Sequence, residues 1–140
     1  MKKKLFLFTV FVLVGFSVPA QQNEDLYNLS REIIYGETPV GTISKVSNAT
    51  LENLLDYAMK GTDPKTVKQL NSDDSWLLSM LCLIETNRRE AKTTNEFLVY
   101  LQGRSEWLDT QPINGRTGRA SGWVDAYDIM IRTKALTVGR

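Results

Sequence analysis

The sequence predicts an all-α fold, a compact single domain of about five helices behind a cleaved signal peptide. Three observations lead there. Apolar residues recur at spacings of three and four through most of the chain after residue 20, each such run opens on a capping residue or closes on glycine or proline, and no two alternating runs pair as strands.

The first element is the leader. "MKKKLFLFTVFVLVGFSVPAQQ" places three lysines before a predominantly apolar run from Leu5 to Val14 and a small-residue exit at Val18 and Ala20, the pattern of a secretory signal peptide over residues 1–20. The run is shorter than the roughly 20 residues a spanning helix needs, so no stable membrane anchor is expected. The domain then comprises residues 21–140, and its destination is periplasmic or secreted. The lysine-rich start and short leader are bacterial in style.

A first helix is expected from Glu24 to Tyr35, with Leu26, Leu29, Ile33 and Ile34 on one side and Gly36 and Pro39 as stops. "VGTISKVSNA" alternates Val40, Thr42, Ser44 and Val46, with Ile43 out of step, and reads as a connecting loop or a brief extended piece. The next helix runs from Leu51 to Lys60 with Thr50 as its cap. Asp63 and Pro64 then restart a short piece reaching Leu70. Asn48-Ala49-Thr50 is a formal glycosylation acceptor that loop and cap chemistry explain equally well.

Trp76 to Asn87 is apolar on almost every side and is expected to be the central helix. Cys82, inside it, is the only cysteine; it can form no internal disulfide and reads as a small buried hydrophobe. Asp73 and Asp74, at the helix start, read as capping residues. "TTNEF" carries a capping box, Thr93 with Glu96, opening a helix whose face includes Phe97, Leu101 and Leu108 and which Gly103 divides. The last helix lies between Arg116 and Ala135 and presents Ala120, Trp123, Val124, Tyr127, Met130 and Ile131 at spacings of three and four. The tail "TVGR" is expected to be loose.

The segment "NGRTGRASGW" admits two readings. If the helix begins near Ser121, Arg116 and Arg119 flank exposed amides in a loop suited to phosphate or carboxylate. If it begins earlier, Gly118, Gly122 and Ala126 form a flat strip for close helix packing while both arginines face water. The second is favoured, because glycine inside a helix costs roughly 1 kcal/mol and needs a reason of space.

Composition excludes several chemistries. The chain has no histidine, which removes Ser-His-Asp and Cys-His catalysis and, with one cysteine, the usual zinc sites. No metal or other cofactor is expected. Loss of Lys2, Lys3 and Lys4 with the leader leaves 14 basic against 16 acidic residues, net −2, which argues against nucleic-acid binding. A carboxylate pair drawn from Glu85, Glu96 and Glu106 would serve a cell-wall hydrolase, but sequence spacing gives no sign that two of them share a cleft.

"TTNEFLVYLQGRSEWLDTQPINGRTGRASGWVDAY" resembles the Rap/Tai-type periplasmic immunity proteins of type VI secretion, through Phe97, Tyr100, Leu101, Ala120 and Val124. The resemblance covers about a third of the chain and implies a protein partner. The paired cysteines common in that family are missing here.

The expectation is therefore a non-enzymatic, exported protein-binding module: an inhibitor, immunity protein or secretion accessory factor. Its candidate contact residues are Arg104, Trp107, Arg116, Arg119 and Trp123, since arginine and aromatic side chains dominate interface energetics. The alternatives are a small-anion-binding protein using the same arginines, or the carboxylate-based hydrolase. Homodimerisation through the small-residue helix is a further arrangement.

Overall fold

The computed structural model describes residues 25–60 and 68–139. The expected signal peptide over residues 1–20 and most of the Pro64–Leu70 piece lie outside them; Lys68–Leu70 are not helical, and Leu70 is buried.

Six helices are described, with no β-sheet among them: α1 Leu26–Tyr35, α2 Pro39–Ile43, α3 Asn48–Lys60, α4 Ser72–Glu90, α5 Thr94–Asp109 and α6 Gly115–Arg132. Their starts follow local chemistry. The Asp25 carboxylate accepts from the Asn28 amide at 3.1 Å, Asn71 from Asp74 at 2.7 Å, Thr93 from Glu96 at 3.0 Å and Asn114 from Thr117 at 3.1 Å. Glu96 reaches back to the Lys92 amide, 2.7 Å away, one residue before the position a capping box uses. The ends are equally local. A Cβ at Gly36 would stand 2.6 Å from the Glu32 carbonyl oxygen, so the exit from α1 requires glycine.

Several expectations are corrected. The region expected to be loop or extended is helical over Pro39–Ile43: Pro39 suits the first turn, and Val40 and Ile43 turn into the core. Helix α3 begins three residues early. Ser47 accepts from the Thr50 amide at 3.0 Å, and Thr50 itself is buried inside the helix rather than capping it. Gly103 does not divide α5, because it is exposed on an otherwise well-packed helix. The tail is tied down as well. Gly139 N–H donates to the Arg88 carbonyl at 2.9 Å, the Arg88 guanidinium donates to the Thr137 carbonyl, and Leu136 and Val138 pack on the core.

Helix α4 is central, as its all-round apolar pattern predicts, and contacts each of the other five. Leu77, Leu78, Leu81, Cys82 and Ile84 are sealed in it. Tyr127 of α6 packs edge-on against Phe97 of α5, with centroids 5.8 Å apart. No described helix is long and apolar enough to cross a membrane.

Candidate functional site

Two clusters of carboxylate, guanidinium and phenol emerge from the helices. They share components and differ in exposure.

The inner cluster centres on Glu85, 0% exposed. The turn spacing of α4 brings Arg88 and Arg89 back onto it. Arg88 Nε donates to Oε1 at 3.0 Å and Nη2 to Oε2 at 2.6 Å, while Arg89 Nε donates to Oε2 at 2.6 Å. Tyr127 completes it by donating its hydroxyl to Oε1 at 2.9 Å. The second guanidinium also reaches the α2–α3 joint, with Arg89 donating to the Ile43 and Val46 carbonyls and to Asn48 Oδ1. Buried charge is tolerated when it is paired and its hydrogen bonds are satisfied. Here that condition is met by residues up to 49 positions apart.

Glu85 is sealed from solvent and both its oxygens accept hydrogen bonds within the helices, so a substrate has no access to it. Glu96 serves the start of α5, and Glu106 accepts from Gln102 at 3.0 Å. Burial first, and Glu85 second, push the Cys82 thiol up to about 12. A thiol protonated at neutral pH is a poor nucleophile.

The outer cluster lies where α1 and the N-terminal ends of α4 and α6 meet. Asp74, 1% exposed, accepts from the Tyr35 hydroxyl at 2.6 Å and from Arg31 Nη1 at 3.0 Å. Its expected capping role passes to Asn71, and Asp74 instead links α4 to α1. The Tyr35 phenol is raised above its ordinary value by the hydrogen bond to Asp74, by burial and by that carboxylate's charge. Around this link the cations stack on rings. Arg31 lies 4.7 Å from the Tyr35 centroid and 5.9 Å from Tyr27, Arg119 lies 4.8 Å from Tyr35 and 5.5 Å from Trp123, and Arg116 lies 4.9 Å from Trp76. Lys68 adds a fourth cation, 5.1 Å from Tyr27.

The candidates Arg116, Arg119 and Trp123 thus fall within or beside this cluster. Arg104 and Trp107 do not join it; they form their own stack on α5, 5.1 Å apart, beside Tyr100. Trp107 is partly exposed, whereas Trp123, also a candidate contact residue, is only 7% exposed.

Both readings of the "NGRTGR" segment need correction. Helix α6 already runs from Gly115, and Asn114 and Thr117 close its start as a reciprocal cap, so no anion-binding loop precedes Ser121. Yet close packing does not explain the glycines either: a Cβ at Gly118 or Gly122 would meet nothing within 4 Å. Nor do the arginines simply face water. Arg119 donates to the Ile34 carbonyl at the end of α1, and Arg116 pairs with Asp73 at 3.4 Å.

Arg31, Tyr35 and Asp74 were missed as site residues. Their partners lie 39 to 43 positions away along the chain, beyond the reach of any helical periodicity. The only sequence signal was two aspartates at a helix start, which capping explains equally well. Among the described residues no group of three or more His, Cys, Asp or Glu could hold a metal ion.

No protein-family model, no curated protein and no solved structure matches this chain.

Proposed function

We propose that this chain is an exported protein-binding module, working by non-covalent coverage of a partner through the face built from α1 and the start of α6. The observation that carries the reading is the convergence of Arg31, Arg116 and Arg119 on the rings of Tyr27, Tyr35, Trp76 and Trp123. Arginine and large aromatic side chains supply most of the energy at protein interfaces. Stacking holds these guanidiniums in place before a partner arrives, which lowers the ordering cost of association. Inhibitor, immunity protein and secretion accessory factor are all forms of this role.

The test is affinity capture with the mature protein, Gln21–Arg140, from the periplasm of its own host, followed by titration of the captured partner against Arg116→Ala and Arg119→Ala. Both variants should weaken binding about tenfold or more, the 1.4 kcal/mol scale of a modest hot spot. They should differ in stability. Arg119→Ala loses the hydrogen bond to Ile34 and two ring contacts and should cost about 1–2 kcal/mol, whereas Arg116→Ala loses a half-exposed pair and a single stack and should cost under about 1 kcal/mol. Equal affinity for wild type and both variants would remove this face from the reading.

A further inference from the structure

Beside the outer cluster runs a groove of about 390 Å³, bounded on one side by Pro39, Val40 and Gly41 of α2 and on the other by Trp123, Ala126 and Met130 of α6. Its lining is mainly apolar, and its volume is at the small end for a ligand site, with room for a single large side chain. Trp123 belongs to both features. It lines the groove, and its ring carries the Arg119 guanidinium 5.5 Å from its centroid.

We propose that groove and cluster form one composite docking site for an acidic segment of a partner protein, with an apolar side chain in the groove and neighbouring carboxylates facing Arg119 and Arg31. The proposal rests on the protein-binding reading and specifies its partner.

Charge complementarity selects the occupant. Three guanidiniums and the Lys45 ammonium share this composite face with three carboxylates, Asp73, Asp74 and Glu37. Asp74 is sealed at 1% exposure and Asp73, 70% open, is paired with Arg116, while Arg31 keeps 43% of its side chain open, so cations outnumber carboxylates at the surface of this face. The mature chain as a whole is acidic, and a locally positive face on such a protein steers in segments of negative charge. Each guanidinium has five N–H donors. Arg31 directs one nitrogen to Asp74, and Arg119 one to the Ile34 carbonyl, leaving other donors for a carboxylate. The guanidiniums lie on ring faces of α1, α4 and α6 and do not enclose a hollow. That geometry suits several carboxylates along a chain better than one small anion.

Gly41 supplies a clean test. A Cβ there would meet only Thr38, at 3.5 Å, an ordinary contact, and Gly41 lies in a helix. Gly41→Phe therefore fills the groove without straining the backbone. The probes are three short synthetic peptides: glutamates and aspartates around one leucine, the same acids around serine, and leucine among glutamines. Binding to the protein processed from its full sequence is followed through the indole N–H resonances, assigned with Trp76→Phe, Trp107→Phe and Trp123→Phe. The expected result is that the acidic leucine peptide moves the Trp123 signal and binds at least tenfold more tightly than either control, with Gly41→Phe and Arg119→Gln each removing most of that margin.

Equal binding of the acidic serine peptide overturns the groove and leaves a simple charge contact. Equal binding of the glutamine peptide overturns the role of the arginines. Displacement of the leucine peptide by millimolar inorganic phosphate from wild type and Gly41→Phe alike would assign the cluster to a small anion. If a captured partner binds Gly41→Phe as well as wild type, this inference fails while the protein-binding reading stands; if no peptide binds and the wild type captures nothing, both fail.

Discussion

Glu85 and Asp74 sit in the same helix, both sealed from water, and each accepts from a tyrosine hydroxyl and from arginine. The partners of Glu85 are themselves buried, with Tyr127 at 0% and the arginine side chains at 8% and 6%. Those of Asp74 are not, since Tyr35 is 54% exposed and Arg31 nearly as open. Identical chemistry therefore produces a strut in one place and a presented surface in the other. What separates them is whether the cation can still reach solvent. A buried guanidinium with every partner inside the chain has nothing left to offer, whereas a half-open one held by a buried carboxylate is both fixed and available.

Removing each carboxylate in turn is the most severe way to break this contrast. Glu85→Ala strands two buried guanidiniums and should cost about 3–5 kcal/mol, the range for an orphaned buried charge. Asp74→Ala frees Arg31 into water and leaves the Tyr35 hydroxyl solvated, so it should cost about 1–3 kcal/mol. Urea denaturation of both variants measures the difference. Equal losses would mean that the outer cluster is as much a strut as the inner one.

A smaller effect separates the two tyrosines by pH. Burial, followed by the charge and hydrogen bond of Glu85, holds the Tyr127 phenol well above the 10.0 of a free side chain. The folded protein keeps a proton that the unfolded chain releases near pH 10, so this contribution to stability is complete below pH 10 and is lost as pH rises beyond it. Cys82 acts in the same direction between about pH 9 and 12. Tyr127→Phe should cost about 1–2 kcal/mol at neutral pH by leaving Glu85 one donor short, and its deficit should narrow in alkali. Tyr35→Phe should show a shallower narrowing, because its phenol is mostly exposed. Parallel alkaline limbs for wild type and Tyr127→Phe would contradict the assigned environment.

The smallest effect lies on the outer side of α6. Gly118 and Gly122 face open space inside a helix, so alanine at either should raise stability by about 0.5–1 kcal/mol. Thermal unfolding checks this directly. A loss of stability would show that the glycines serve packing within the chain after all. A gain in stability combined with weaker partner binding would extend the docking face onto that strip.

Local signals were legible in the sequence wherever one turn of helix decides the outcome. Thr93 opened α5, Gly36 closed α1, and the all-round apolar run of α4 marked it as central. The α2 segment was misread because five residues starting at a proline are too few to show a period. Gly118 and Gly122 were read as a packing strip because spacing identifies a helical face without saying which way it points. Among the candidate residues, Arg116 and Arg119 were identified, but their neighbours Arg31, Tyr35 and Asp74 were not, and Trp123 proved to be inside.

The sequence alone therefore determined the helical class, the helix ends that a cap or a glycine marks, such as Tyr35, Lys60 and Thr94, and the absence of histidine chemistry, because capping, glycine and proline effects and periodicity act within a few residues. The tertiary structure decided which carboxylate became a sealed hub and which arginines remained at the surface. Burial and charge pairing depend on side chains that meet only when segments some 40 to 85 positions apart are folded together.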